Sequence, residues 1–452
     1  MPRMNVEDWL AEGLQLRAAT RSKRRTDPGP DPGADPLTNG TRGVAACRFC
    51  GVPLATSFAD LGDMPLANSF VTKEDLDRPE PRYPLHVKVC GGCLLVQHDT
   101  VVPPEDIFTD YAYLSSYSRD WCEHAGRHAR MTRERFELGP ASKVVEIGSN
   151  DGYLLKHYIG LGVPVLGVDP ARNVAEVARA AGVPTENSFF GLATARGLLL
   201  KGHAADLIVA NNVLAHVPDI NDVIAGVKLL LKPEGVLTAE FPHLLKLMEE
   251  VQFDTIYHEH FFYYSLLVFE RILARHGLRV FDVEELRTHG GSLRIFACHR
   301  GNAARGERPG LLRVRAAEKA AMLDRIEGYA GFAPEVAAAR AALLAFLGTA
   351  RRMSRHVIGF GAAAKGSTLL NFCGVNGSQV DCVVDETPTK RGKYLPGSHL
   401  PIVGIETVRQ TRPDYVLILA WNHKDEITRK LAYVHDWGGR FVIPLPRTTV
   451  LG

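Results

Sequence analysis

VVEIGSNDGYLL, Val144–Leu155, is the stretch whose reading decides the fold. A β-branched run ends at Glu146–Ile147, a turn carries Gly148 and Gly152, and a helix is expected from about Tyr153. Strand, glycine turn and helix make the first unit of an open α/β sheet, where glycine lets the backbone approach a ligand at the carboxyl edge. The spacing is not G-x-G-x-x-G, so the dinucleotide fingerprint is not met. An acidic residue before G-x-x-x-G instead points to S-adenosylmethionine, held around Glu146, Gly148, Ser149, Asn150 and Gly152.

The residues downstream keep the same register. VLGVDP ends a second strand at Asp169, placed to accept hydrogen bonds from ribose hydroxyls. ENSFF (Glu186–Phe190), with Asn187, is placed to border an adenine. IVANNVLAHVPD brings Asn211, Asn212 and His216 to the same edge. KVVEIG, PVLGVD, DLIVAN and GVLTAEF are four short apolar runs with room for helices between them, which predicts a parallel sheet covered on both faces.

Further out, the 452 residues exceed one core of typical size. Net charge is +2 from 53 basic and 51 acidic side chains, which argues against a nucleic-acid partner. No apolar run reaches the roughly 18 residues of a membrane span, and the N-terminus lacks the apolar segment of a secretory signal, so the expected location is cytoplasmic. Residues 1–45 read as a disordered extension: VEDWLAEGLQLRAATRSKRR suits a short amphipathic helix, and TDPGPDPGADPLTNG cannot form a core.

CRFCG and CGGCL hold Cys47, Cys50, Cys90 and Cys93. Two C-x-x-C knuckles supply four thiolates for one tetrahedral zinc, and a closed four-cysteine site leaves no position for substrate, so the ion is expected to be structural. Cys122, Cys298, Cys373 and Cys382 sit among apolar neighbours and read as small core residues. Past an Ala- and Arg-rich helical connector (about 305–352), a second β/α series begins with VIGFGAAAKGSTLLNF. Gly359, Gly361 and Gly366 mark its turn, and Lys365 lies near the helix start, where free N–H groups favour a diphosphate. VDCVVD, ending near Asp385, and YVLILAW follow as strands, with RFVIPLP as a further one.

YHEHFFYYS, Tyr257–Ser265, packs acid–base groups among rings just after GVLTAEFPH reaches the cofactor edge. It lacks the spacing of H-E-x-x-H, which argues against a zinc-protease motif.

Together the two cysteine knuckles, PLANSF (Pro65–Phe70), DYAYLSSYS (Asp110–Ser118), EIGSNDGYLL, NNVLAHVPD, YHEHFFYYS and GFGAAAKGSTLLN resemble the nucleotide-sugar C-methyltransferases of deoxysugar biosynthesis. That family acts on TDP-linked 4-keto sugars, and the resemblance covers about residues 46–452. It implies a zinc-binding module (46–110), a class I S-adenosylmethionine methyltransferase domain of Rossmann-like fold (111–304) and a second Rossmann-like domain (305–452) that binds the sugar nucleotide. It implies His260 as the base that removes the C–H proton beside the ketone, Glu259 to orient it or relay the proton, and Tyr257 to donate to the enolate oxygen. His216 and Tyr111 are second-line candidates facing the same pocket, and the choice of base among His260, Glu259 and His216 stays open. His258 is expected to point away because neighbours in an extended segment alternate faces. In the last domain Lys365 or Arg391 would meet the diphosphate near Gly361, with Trp421 and His423 lining the pocket. The expected partner is a small nucleotide sugar, with no nucleic acid or membrane, and the enzyme a monomer or weak oligomer. C3 and C5 both adjoin the ketone and stay open. An O- or N-methyltransferase, an RNA-modifying methyltransferase and a non-enzymatic nucleotide-binding protein are the competing readings.

Overall fold

The computed structural model describes residues 3–5, 45–99, 102–103 and 114–451. The helix expected in residues 6–25, the loop after it and Tyr111 lie outside them. Strands run in chain order as β1 (Arg3–Asn5), β2 (Thr56–Met64), β3 (Tyr83–Val89), β4 (Val96–His98), β5 (Val144–Ile147), β6 (Val165–Val168), β7 (Thr185–Glu186), β8 (Ala205–Asn211) and β9 (Leu231–Pro242). They continue as β10 (Phe262–Tyr263), β11 (Leu278–Leu286), β12 (Ser292–His299), β13 (Val357–Phe360), β14 (Val383–Val384), β15 (Ile402–Val403), β16 (Tyr415–Ile418), β17 (Arg440–Ile443) and β18 (Thr449–Leu451).

Among the described residues three sheets result. The central one has the order β11-β12-β9-β8-β5-β6-β7. The predicted runs form β5, β6, β8 and β9, four of its five interior strands, and β5 is buried at every position because helices cover both faces. The sheet is not purely parallel: β12 pairs antiparallel with both β9 and β11, and β11, at the edge, mixes buried with partly exposed positions. Chain order reverses between β5 and β8, and the crevice outside their carboxyl ends is where such sheets take ligands.

The C-terminal sheet repeats this plan, β1-β18-β17-β16-β13-β14-β15, with the reversal beside β13. One part of the N-terminal extension is therefore strand: Arg3–Asn5 pairs antiparallel with Thr449–Leu451. The connector forms helices Pro309–Ala320 and Phe332–Arg352. The stretch Ile326–Arg352 is long and apolar enough to cross a membrane by composition alone. Here Phe332 stacks on Phe58 of β2, with ring centroids 4.4 Å apart, and Leu343, Phe346 and Leu347 are buried.

The third sheet, β10-β4-β3-β2, is antiparallel and joins two parts of the chain. β2 to β4 belong to the cysteine module. β10 is Phe262–Tyr263 of YHEHFFYYS, paired with Gln97 and Val96. The acid–base stretch thus completes the module's sheet on one side. On the other, Phe261 N–H donates to Ala215 O (2.7 Å) and Leu244 N–H to Tyr264 O (3.0 Å).

Candidate active site and metal centre

The glycine turn after β5 is built as a close approach. Gly148 and Gly152 have φ of +67° and +77°, and a Cβ on either would sit 2.7 Å from Val213 or Val183. Asp169, at the end of β6, grips the turn: Oδ2 accepts from Asn150 N–H (2.8 Å) and Oδ1 from Ala171 N–H (2.9 Å). Each carboxylate oxygen that was expected to face ribose hydroxyls already takes one backbone donor and keeps a second lone pair. The Asn187 amide donates to the carbonyls of Asp169 and Pro170, both at 2.9 Å, so it too shapes the loop. Ser115 N–H donates to Asn150 Oδ1 and Ser116 N–H to Asp151 Oδ2, laying the end of DYAYLSSYS across the turn.

The same edge holds buried polar atoms without a protein partner: Glu146 Oε2, Ser149 Oγ, Asp151 Oδ1, Asn211 Oδ1 and both amide atoms of Asn212. Such atoms cost about 1–3 kcal/mol each unless something takes their hydrogen bonds. Burial holds the Glu146 carboxyl well above its usual range, reinforced by Asp169 and Asp151. Orphaned amides beside three clustered carboxyl groups suit a polar ligand that carries positive charge. S-adenosylmethionine, with a sulfonium and an ammonium, fits that donor set.

YHEHFFYYS divides its side chains between two surroundings, by a turn at His258–Glu259 and not by the alternation of an extended segment. His258 is buried toward the cysteine module, its Nε2 3.1 Å from the Tyr83 carbonyl, as expected of a residue pointing away. His260 faces the sheet edge. Its Nδ1 lies 2.9 Å from Thr255 O and its Nε2 2.8 Å from Tyr257 Oη. A carbonyl only accepts, so the proton sits on Nδ1 and Nε2 accepts from the phenol. His216 comes in from the loop after β8 and meets His260 edge-on, centroids 4.8 Å apart. Burial pushes His260 well below the usual imidazole range, helped by His216, and brings His216 down to about 4. Both rings are neutral at neutral pH.

Glu259 takes a different partner from the one expected. Its Oε1 accepts from Asn68 Nδ2 at 2.6 Å, and Thr255 rather than Glu259 orients His260. Burial lifts the Glu259 carboxyl to about 7, with the Asn68 bond opposing. Asn68 lies inside the quoted PLANSF motif, so a signal for it existed. Nothing in the sequence marks the Thr255 carbonyl.

In the C-terminal domain, Asp385 repeats the grip of Asp169. Its Oδ2 accepts from Ala362 N–H and its Oδ1 from Thr387 N–H, both at 2.8 Å. Gly361 has φ +100°, and Ala363 caps the helix Ala364–Cys373 without a side-chain hydrogen bond, leaving first-turn N–H groups open. Lys365 leaves that helix toward the methyltransferase domain: Nζ donates to His289 O (3.2 Å) and lies 4.7 Å from the Trp421 ring centre. Trp421 is buried, and its indole N–H goes to Asp254 Oδ2 (2.6 Å) rather than to an open pocket. His423 and Arg391 are exposed, the latter with Nη2 3.4 Å from Glu386 O. Arg391 is not gathered with Lys365 and Trp421 by any described contact, whereas His423 shares the turn Trp421–His423 and lies close enough to His289 to weigh against its protonation.

The four cysteine sulfurs lie within 4.8 Å of one another, with Cys47–Cys93 at 3.6 Å and Cys50–Cys90 at 3.5 Å. Those separations are far beyond a disulfide and close to the ~3.8 Å edge of a tetrahedron with ~2.3 Å zinc–sulfur bonds. Gln97 Nε2–H points at Cys47 Sγ (3.1 Å), and N–H groups of Cys50 and Gly92 point at Cys47 and Cys90 sulfurs. Such donors suit thiolates, and the residues fit a structural zinc.

Three family models match the chain: a zinc binding domain at residues 47–108, a methyltransferase domain at 120–283 and the C-methyltransferase C-terminal domain at 287–446. The chain is 36% identical to C-methyltransferase NovU of Streptomyces niveus over 410 residues, 91% of this chain and 97% of that one. It is 32% identical over 108 residues to the ubiquinone biosynthesis O-methyltransferase of Bartonella bacilliformis, 23% of this chain and 44% of that one. Among solved structures, magnesium protoporphyrin IX methyltransferase of Synechocystis PCC 6803 matches at 15% identity and TM-score 0.31, covering 39% of this chain and 79% of that one. The near-full-length likeness to a C-methyltransferase, with the three domain families in sequence, shows that this chain belongs to the C-methyltransferase family, as a zinc-binding enzyme that uses S-adenosylmethionine.

Proposed function

We propose that the enzyme methylates a carbon beside the ketone, C3 or C5, of a TDP-linked 4-keto-6-deoxysugar, and that it does so in the cytoplasm. The observation that carries this is the Tyr257–His260–His216 cluster above the cofactor edge. Carbon methylation needs the C–H proton removed and the developing enolate oxygen met by a donor. S-adenosylmethionine, when bound, supplies the methyl group as a sulfonium substituent. The protein's part is the proton. His260 Nε2 is the basic lone pair, and Tyr257 stands on it, so the proton reaches the imidazole directly or by relay through the phenol. Thr255 O fixes the tautomer that leaves Nε2 free to accept. The surrounding rings keep water out, which strengthens each polar contact.

The open first turn of Ala364–Cys373, with Lys365 beside it, supports diphosphate binding in the C-terminal domain. A second reading rests on Glu259, whose carboxyl at about 7 is matched to neutral pH and would itself serve as the base.

Solvent exchange decides between these. A TDP-4-keto-6-deoxyhexose is mixed with enzyme and S-adenosylhomocysteine in heavy water and its protons followed by NMR. Exchange at C3 or C5 that His260→Ala abolishes and Glu259→Gln retains is expected, and the exchanging position names the carbon. Dependence on Glu259 alone moves the base to that residue. No exchange at either carbon with wild-type enzyme would overturn the enolising mechanism.

A further inference from the structure

The contact between the C-terminal domain and the segment just before YHEHFFYYS has no place in the chemistry above. A 3-10 turn, Phe253–Thr255, sits there, and all three residues are buried. Phe253 packs edge-on against Phe372 of the helix Ala364–Cys373, centroids 5.2 Å apart. Asp254 Oδ2 receives the Trp421 indole N–H at 2.6 Å, and its Oδ1 has no partner. Burial raises the Asp254 carboxyl to about 6 while Lys365 and the indole pull it down, so at neutral pH the bond is to an anion. The next residue, Thr255, gives its carbonyl to His260 Nδ1. Trp421 is also wedged: a Cβ on Gly290 would lie 2.6 Å from its ring. Gln252 Nε2 ties the same turn to Gly290 O at 2.7 Å.

We propose that Trp421 and Asp254 form an interdomain positioning pair, through which the C-terminal domain sets the tautomer and ring orientation of His260 by way of the Phe253–Thr255 turn. Neither residue touches the reacting carbon. The pair holds the one acceptor that keeps the proton on Nδ1 and the Nε2 lone pair toward Tyr257. A domain displaced at this contact would free Thr255 O to move and let the imidazole proton divide between its two nitrogens. This rests on the reading of His260 as the base, but the pair's effect on the tautomer is observable without substrate.

The test uses the full chain with zinc and S-adenosylhomocysteine, labelled with 15N-histidine, and with His260→Gln to assign the signals. Wild type is expected to show His260 as a single Nδ1–H tautomer. Trp421→Phe, which keeps a ring but loses the N–H, and Asp254→Ala, which loses the acceptor, are expected to show a mixture. Asp254→Asn, whose amide oxygen still accepts from the indole, is expected to restore the wild-type signals. Solvent exchange of the sugar should fall about tenfold or more in Trp421→Phe, with KM for the sugar nucleotide little changed. A wild-type tautomer in either Trp421→Phe or Asp254→Ala overturns the proposal. Absent exchange in the wild type would instead sink the enolising mechanism and leave the tautomer comparison to decide the pair.

Discussion

At the scale of single residues, the site is governed by burial without charge. His260, His216 and Glu259 lie close together, and desolvation drives all three toward their neutral forms. Glu259 is held near 7 because Asn68 lends one hydrogen bond to the ionised form. Asn68→Ala removes that bond and leaves burial unopposed. The carboxyl is then expected to titrate above about 7, read by carbon-13 NMR of labelled glutamate, with about 1–3 kcal/mol lost in chemical denaturation. An unchanged titration midpoint would show that Asn68 does not tune this group. Asn68 comes from the cysteine module, so a residue of one domain sets the proton affinity of a group in another.

At the scale of elements, YHEHFFYYS behaves as a seam. Its Phe262–Tyr263 completes the zinc module's sheet, its His258 packs on Tyr83, and its Phe261 backbone holds the loop that carries His216. A module of three strands, whose sheet another domain completes, has little core of its own and depends on its metal. Cys90→Ser is therefore expected to release zinc and unfold the module, measured by metal content and limited proteolysis. Methyl transfer should be lost with it. Binding of S-adenosylhomocysteine at the glycine turn should survive, because that turn is tied within its own sheet by Asp169. Retained methyl transfer without zinc would contradict the seam.

At the scale of the whole molecule, three sheets meet around one edge, and the meeting concentrates buried histidines. His128 is brought to about 3, His289 to about 3 and His216 to about 4, each chiefly by burial, with His260 also well below its usual value. Unfolded imidazoles titrate near 6.5, so between about 6.5 and 4 the unfolded chain binds protons that the native chain refuses. Stability falls as pH falls through that window. Glu240, held at about 2 by His124 and Arg294 against the cost of burial, extends the loss below pH 4.5. Glu259 and Asp254, raised to about 7 and about 6, act the other way, keeping protons in the native state that the unfolded chain has released. Among the described residues burial lowers nine imidazoles, with His98, His157, His203, His258 and His276 beside the four above, against four raised carboxyls, Glu146 and Asp169 joining Glu259 and Asp254. This gives a net loss on acidification, which urea midpoints from pH 7 to 4 would register. A midpoint that held level or rose toward pH 4 would contradict it.

The sequence by itself determined the elements whose signals are local. The glycine turn with Glu146 before it is legible because φ > 0 beside a packed Val213 admits only glycine there. The four cysteines are legible because two knuckles announce a tetrahedron at any separation. Strands β5, β6, β8 and β9 of the central sheet read as apolar runs because both faces are covered. Edge strands β7, β11 and β15 were not legible, because short or alternating segments bury too little to stand out from loops, and β12 and β18, interior to their sheets, were missed as well. Nor was Arg3–Asn5, whose pairing partner lies at the other end of the chain. Partnerships between side chains were decided only in three dimensions. Glu259 meets Asn68 and not His260, Trp421 gives its N–H to Asp254 and not to a pocket, and Lys365 reaches across to His289. Sequence shows which groups can donate and accept. Which donor finds which acceptor depends on how separately folded sheets pack, and that packing is settled by shape and burial summed over the whole molecule.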